Sequence, residues 1–333
     1  MSVNIIAEIS ANHNGDLDLT KRTIEAIAKT GADTVKIQTY KPESLTLNVD
    51  NEIFGPLKSG PWKGISPHKL FSTGSLPYEW HKELKEFAES LGLIFFSTPF
   101  DLEGVKFLEE LNVPNYKIAS LEINHIPLIK AVAKTGKPII MSTGVATLAD
   151  ISLAVETCRN EGNNDITLLK CTSEYPAPFE KANLLTIKNL QETFNVKVGV
   201  SDHTMGATIP VLSVGLGATV IEKHFILDRG LGGPDALFSM EPQEFEQMVK
   251  MVREAEKSVG KITYPSSGDV KLRKRSIFIS EDMKSGDKFS DQNVKIVRPG
   301  HGIHPKFYDQ IIGKEINASV KAGTPVAWTL VKD

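Results

Sequence analysis

Cysteine is nearly absent. Only Cys158 and Cys171 occur in 333 residues, too few for a disulfide framework. Excess charge is missing too: the formal net charge is −3, so no basic field argues for nucleic acid or an anionic membrane as a partner. Any anionic ligand must therefore be held by a few placed lysines. No apolar run reaches the roughly 18 residues of a membrane-spanning helix. Residues 1–8 lack the charged-then-apolar layout of a signal peptide, which makes a cytoplasmic location the expectation. The first β-like run also lacks the glycine-rich phosphate loop of a doubly wound nucleotide-binding sheet; it ends in Glu8-Ile-Ser-Ala-Asn-His-Asn-Gly15.

What is present is alternation. Short β-branched runs at 5–10, 34–39, 94–99, 116–120, 138–143, 166–172, 197–202 and 220–225 are separated by helix-period segments. Those segments lie near 17–30, 77–91, 101–111, 125–136, 147–161, 183–194 and 207–217, with another at 242–259. Several close on glycine, as helix C-termini do, at Gly31, Gly92 and Gly136. Eight β-then-α units over about 260 residues match a (β/α)8 barrel in number and length, so the fold class is α/β with the barrel over 1–263. The competing open sheet usually has fewer strands. The segment 40–76, rich in Gly, Pro, Ser and Lys, reads as a lid or binding loop. Residues 264–275 read as a linker and 276–333 as a small β-rich domain. A tail of about 60 residues is small for independent stability and is expected to pack on another surface, such as the barrel of a partner subunit.

In a parallel barrel, active-site groups come from the C-terminal ends of the strands. Here those ends carry Glu8 and Ser10, Lys36 and Gln38, Ser97 and Thr98, Lys117 and Ser120, Ser142 and Thr143, Lys170 and Thr172, Ser201-Asp-His203, and Glu222-Lys-His224. Any single Ser or Thr among them could simply cap the next helix. Lysines are different, because an unpaired lysine buried in a barrel is costly. Lys36 and Lys117 thus point to an anionic ligand, with Thr98, Ser120 and Ser201 as neutral donors to phosphate or carboxylate oxygens.

His203 and His224 end successive strands, so their imidazoles face one mouth and can share a metal ion. An imidazole pair suits Mn, Co, Zn or Fe better than Mg, and water and substrate would complete a catalytic shell. Glu8 is either a salt-bridge partner for a barrel lysine or a general acid/base. Asp235 sits either in a plain turn or where it can address substrate hydroxyls. Cys171 reads as a small buried residue, since nothing near it in sequence activates it. His13, His68, His81, His125, His301 and His304 read as structural.

The strings Ala7-Glu-Ile-Ser-Ala-Asn-His-Asn-Gly15, Lys36-Ile-Gln-Thr39, Ser97-Thr-Pro-Phe100, Tyr116-Lys-Ile-Ala-Ser120, Cys171-Thr-Ser-Glu-Tyr-Pro176, Ser201-Asp-His-Thr204, Glu222-Lys-His-Phe225 and Gly233-Pro-Asp235 together resemble the sialic acid synthase family. The resemblance runs on through Val297-Arg-Pro-Gly300 into a tail similar to type III antifreeze proteins, the SAF domain. Within the family, Ser44-Leu-Thr-Leu-Asn48, Pro77-Tyr-Glu-Trp-His81, Gly232-Gly-Pro-Asp-Ala-Leu-Phe-Ser239 and Gly302-Ile-His-Pro-Lys-Phe-Tyr308 look most like pseudaminic acid synthases.

The resemblance implies a transferase that condenses phosphoenolpyruvate with the open-chain aldehyde of an N-acetylated sugar, here 2,4-diacetamido-2,4,6-trideoxy-L-altrose. It implies that His203 and His224 hold a divalent metal, typically Mn with Mg or Co as alternatives. Lys36, Thr98, Lys117, Ser120, Ser173 and Ser201 would surround phosphoenolpyruvate. Glu8 would act on the water that attacks C2. Gln38, Glu122, Tyr175, Glu222 and Asp235 would line the sugar, and Arg298 would reach the sugar pocket of the partner in a domain-swapped homodimer. Position 173 departs from the pattern, with Ser where neuraminate synthases usually have Asn. Three rivals remain: a neuraminate or legionaminate synthase, a Schiff-base aldolase using Lys170 or Lys223, and a non-catalytic sugar-binding protein.

Overall fold

The computed structural model describes residues 2–60 and 62–332. Eight parallel strands close a barrel in sequence order: β1 (Asn4–Glu8), β2 (Thr34–Thr39), β3 (Ile94–Pro99), β4 (Tyr116–Ile118), β5 (Ile139–Ser142), β6 (Ile166–Cys171), β7 (Lys197–Asp202) and β8 (Val220–His224). The ring closes where β8 pairs with β1, from Asn4 opposite Val220 to Glu8 opposite His224. The helices are α1 (Leu17–Lys29), α2 (Pro42–Leu45), α3 (Pro67–Gly74), α4 (Tyr78–Ser90), α5 (Leu102–Glu110), α6 (Ile126–Lys134), α7 (Leu148–Asn160), α8 (Leu185–Phe194), α9 (Thr208–Gly215) and α10 (Pro242–Val259). Gly31, Gly92 and Gly136 follow α1, α4 and α6 with positive φ, the left-handed turn that glycine tolerates best.

Strands walled by helices outside and side chains inside are buried on both faces, which is why they read as near-continuous β-branched runs. The two faces still differ in kind. Along β8, Glu222 and His224 line the cavity at the mouth, whereas the intervening Lys223 pairs with Asp202 of β7. The same period of two separates Lys36 and Gln38, which line the cavity, from the fully buried apolar Val35 and Ile37.

Helix α10 shows how the outer layer is held. Phe245, Met248, Val249 and Val252 recur at helical spacing and are all buried, and Phe245 meets Phe225 edge-on at 5.3 Å between ring centroids. Each such buried side chain contributes on the order of 1.5–3 kcal/mol. Its N-terminus carries Pro242 in the first turn and a reciprocal capping box between Glu241 and Glu244.

Two local features differ from the sequence expectation. The first strand stops at Glu8 because Ser10 turns to φ 49° and starts a 3-10 turn, Ser10–His13. The segment 40–76 is not irregular throughout: it contains α2 and α3, each with proline in its first turn, and Ser66 caps α3 by accepting from the Lys69 N–H.

The chain divides into two compact units, Met1–Gly260 and Lys261–Asp333. In the second, β9 (Ser276–Ile279) pairs antiparallel with β10 (Val294–Val297), and Ile277, Ile279, Met283, Phe289 and Ile311 fill a separate core. The interval 264–275 lies in this unit and includes a helical turn at Ser267–Val270 and a 3-10 turn at Lys271–Arg273. Among the described residues no helix is long and apolar enough to cross a membrane.

Candidate active site

One cavity at the C-terminal ends of the strands gathers Glu8, Lys36, Gln38, Thr98, Lys117, Ser120, Tyr175, Ser201, His203, Glu222 and His224. All but Tyr175 were expected from their place at or just beyond a strand end; Tyr175 was expected only from the family resemblance. Ser142 and Cys171 line the same wall; Ser142 was among the strand-end polar groups but was given no role, and Cys171 was read only as a small buried residue. Parity along the strand was the signal that would have found them. Lys170, Lys223 and Asp202 are adjacent in sequence to cavity residues but do not line the cavity. Lys170 donates to the Cys171 carbonyl at 2.6 Å, and Lys223 donates at 2.5 Å to both Asp202 and the Thr204 carbonyl. Both amines are thus committed to partners outside the cavity lining, which weighs against the Schiff-base reading.

The expectation that Lys36 and Lys117 lie unpaired is corrected by the structure. Lys36 touches Glu8 and lies 3.8 Å from Glu222; Lys117 lies 3.7 Å from Glu222. Lys36 also donates to Thr98 Oγ1 at 3.1 Å, and Lys117 to Ser142 Oγ at 2.6 Å and to the Ile118 carbonyl at 3.0 Å. These partners come from neighbouring strands, so only barrel closure brings them together. Two lysines and two glutamates nearly balance in charge but not in hydrogen bonds. Among the described residues, both oxygens of Glu8 and Oε2 of Glu222 are buried without a hydrogen-bond donor of normal geometry. Buried acceptors left in that state mark a site built to receive something else.

The two glutamates are driven apart in acidity. Burial, helped by the nearby Glu222 charge and opposed by Lys36, pushes the Glu8 carboxyl up to about 7. Burial also acts on Glu222, but Lys117 and Lys36 outweigh it and hold that carboxyl below the usual range. A pair of carboxyls separated in this way supplies one ionised group and one that exchanges protons near neutrality.

His203 and His224 stand with ring centroids 5.3 Å apart. The Nδ1 of His203 donates to the Thr172 carbonyl at 2.9 Å, which leaves its Nε2 lone pair free. The Nδ1 of His224 is buried without a hydrogen-bond partner and lies 4.0 Å from Asp235 Oδ2. Burial, reinforced by the positive charge of Lys36, Lys223 and Lys117 and by His203 when that ring is protonated, pushes His224 well below the ordinary histidine range, so it stays neutral. A free imidazole lone pair and a neutral orphaned imidazole fit a divalent cation. Among the described residues no group of three or more His, Cys, Asp or Glu stands ready to hold one, so a cation on these two rings would need further ligands such as water or substrate. Cys171 is buried as expected but not without a neighbour: its Sγ is 4.0 Å from His203 Nδ1, and although burial raises the thiol, His203 and Lys117 bring it net below the ordinary value.

Aromatic rings flank the imidazoles. Tyr175 lies 4.4 Å from His203, and Phe238 lies 5.0 Å from His224 and 4.9 Å from Tyr175, all between ring centroids. Asp235 is tied to the turn after β1, accepting from the Ala11 N–H at 3.2 Å, while Gln38 donates to Ser10 Oγ at 2.9 Å. Ser173 donates to Ser120 Oγ at 3.0 Å. Between these serines Gly144 is required by space, because a Cβ there would fall 2.3 Å from Ser173 Oγ and 2.9 Å from Ser120 Oγ. Glu122, on the 3-10 turn that starts at Ser120, is half-buried; burial pushes it up to about 7, and its Oε2 has no partner among the described residues. Arg298 belongs to the second unit, where it follows β10 and is exposed.

Residues 23–264 match the NeuB family and residues 274–332 match the SAF domain. A pseudaminic acid synthase of Campylobacter jejuni is 45% identical over 324 residues, covering 96% of this chain and 94% of that protein. An N,N'-diacetyllegionaminic acid synthase of Legionella pneumophila is 38% identical, covering 98% of this chain and 94% of that one. Among solved structures, an N-acetylneuraminic acid synthetase from Leptospira borgpetersenii in complex with citrate superposes with a TM-score of 0.73 at 33% identity, covering 82% of this chain and 91% of the other.

Proposed function

Because the chain belongs to the NeuB family and carries a C-terminal SAF domain, we propose that it condenses phosphoenolpyruvate with 2,4-diacetamido-2,4,6-trideoxy-L-altrose and water, giving pseudaminic acid and phosphate. The observation that carries the reaction is the meeting, in one cavity, of a lysine- and hydroxyl-lined anion side with an imidazole pair suited to a carbonyl oxygen. The choice of sugar rests on likeness to a pseudaminic acid synthase; legionaminate and neuraminate synthesis are the alternatives.

On this reading Lys36, Lys117, Thr98, Ser120, Ser173 and Ser201 hold the phosphate and carboxylate of phosphoenolpyruvate. Gln38, Glu122, Tyr175, Glu222 and Asp235 hold the sugar with its aldehyde toward the imidazoles. His203 and His224 would hold a divalent cation, Mn with Mg or Co as alternatives, which when bound would polarise the aldehyde oxygen. C3 of phosphoenolpyruvate forms the new bond to the aldehyde carbon, and the aldehyde oxygen takes up a proton. Positive charge develops at C2. Glu8 removes a proton from the water that adds there. The C2–O bond to phosphate then breaks as the new C2 hydroxyl gives its proton to the departing phosphate, leaving a 2-keto acid, and the proton taken by Glu8 from water balances the one gained by the aldehyde oxygen. Arg298 completes the sugar pocket of the partner subunit in a domain-swapped homodimer, and a cytoplasmic location suits both substrates.

The test is phosphate release from phosphoenolpyruvate with Mn, run separately with the altrose-configured sugar, its manno isomer and N-acetylmannosamine. Release with the altrose sugar alone supports the proposal. Release only with another sugar replaces the substrate and keeps the chemistry, and release with none refutes both.

A further inference from the structure

We propose that Trp62, in the segment between β2 and α4, is a specificity-determining residue whose indole face packs against the terminal methyl group of the sugar. The proposal rests on the reading above and deepens it.

The indole does not line the cavity itself but is anchored beside Tyr175, which does. Its Nε1–H donates to the Pro234 carbonyl at 3.1 Å, tying the segment to the turn that carries Asp235. Its ring lies 6.2 Å from that of Tyr175, tilted by 49°, and Tyr175 in turn lies 4.4 Å from His203. Trp62 therefore stands two aromatic rings out from the imidazole that addresses the aldehyde. A six-carbon chain with its first carbon at His203, extended along this row, would leave the cavity past Tyr175 and lead its last carbon toward the indole.

The chemistry of that contact discriminates. A 6-deoxy sugar ends in a methyl, which an aromatic face accepts at no hydrogen-bonding cost. A sugar with a 6-hydroxyl must desolvate it there. The one donor the indole owns is already committed to Pro234, so Trp62 offers that hydroxyl nothing in return.

The experiment compares kcat/KM of the full-length enzyme, with Mn and phosphoenolpyruvate, for the 6-deoxy diacetamido sugar and its 6-hydroxy counterpart. Trp62→Ala is expected to lower the preference for the 6-deoxy sugar by roughly 10-fold or more, mostly through KM for the sugar. Trp62→Phe, which keeps an apolar face and loses the bond to Pro234, is expected to retain most of the preference. Calorimetric binding of phosphoenolpyruvate, unchanged in both variants, shows that the barrel is intact. A preference undiminished in Trp62→Ala overturns the role of Trp62 and leaves the reaction standing. A wild-type enzyme that favours the 6-hydroxy sugar overturns the substrate reading itself, and the proposal with it.

Discussion

Glu8 and Lys36 stand in register on β1 and β2 and touch as a buried ion pair, yet neither oxygen of Glu8 receives a hydrogen bond of normal geometry. The pair is held by barrel closure, with His224 in register on the other side of Glu8. A carboxylate so placed is close to both halves of the cavity and is only partly neutralised.

With its carboxyl raised to about 7, Glu8 is neutral below that pH and ionised above it. A base acting on water must be ionised, so kcat/KM is expected to rise with pH through about 7 and then level. Glu8→Gln should retain metal and phosphoenolpyruvate binding while losing roughly 100- to 10,000-fold in turnover. Glu122 is also raised to about 7, so Glu122→Gln separates the two: the rising limb should persist in that variant. Near-normal turnover of Glu8→Gln would sink the role.

Replacing either histidine should weaken Mn binding by more than the roughly 10- to 100-fold that loss of an outer hydrogen-bond partner costs. His203→Asn and His224→Asn, assayed by Mn electron paramagnetic resonance, provide the check, and chelator should abolish activity of the native enzyme. Activity that survives exhaustive chelation would contradict it.

Gly144→Ala places a methyl 2.3 Å from Ser173 Oγ and 2.9 Å from Ser120 Oγ. The serines must move, and kcat/KM for phosphoenolpyruvate is expected to fall by up to roughly 100-fold, with little change in melting temperature. Steady-state kinetics beside a thermal melt decides; unchanged kinetics would detach these serines from the anion.

His81 is a stability test remote from the chemistry. It is buried between the Thr39 hydroxyl at 2.8 Å and the Pro77 carbonyl at 3.1 Å, and burial pushes it down to about 4 from 6.5. Above pH 6.5 it is neutral in both the folded and unfolded chain. As pH falls below that, the unfolded chain gains a proton that the fold refuses, so stability drops until about pH 4. The loss from this one group is at most about 3 kcal/mol. Urea unfolding of the barrel at pH 7 and 4.5 should show a shallower pH dependence in His81→Gln than in the native chain.

If Arg298 serves the partner's pocket, mixing inactive Arg298→Ala and His203→Ala chains should restore part of the activity, because one of the two mixed sites is intact. No recovery in purified heterodimers would count against the swap.

Much of this was legible in the chain. The eight runs and their helices fall within a few residues of the observed elements, because each carries its own period and its own stop, such as the glycines after α1, α4 and α6. His203, His224 and Glu8 could be chosen because strand ends in a barrel converge on one mouth. The carboxylate partners of Lys36 and Lys117 could not be read, since they depend on which residues oppose one another across strands far apart in sequence. The contact of Cys171 with His203 escaped for the same reason, since the two lie on neighbouring strand ends far apart in sequence. Trp62 lies where no periodicity guides a reader, and its meaning comes only from the carbonyl and ring it meets.

The period of two along the strands has a practical side for anyone reshaping this protein. Ile5, Ala7, Val35 and Ile37 are fully buried and do not line the cavity, while Glu8, Lys36 and Gln38 do, yet the two sets are interleaved in the same short runs. Heat tolerance can thus be bred by varying the odd letters of these two strands, and sugar choice by varying Gln38 among the even ones, and the winners of each can be spliced together.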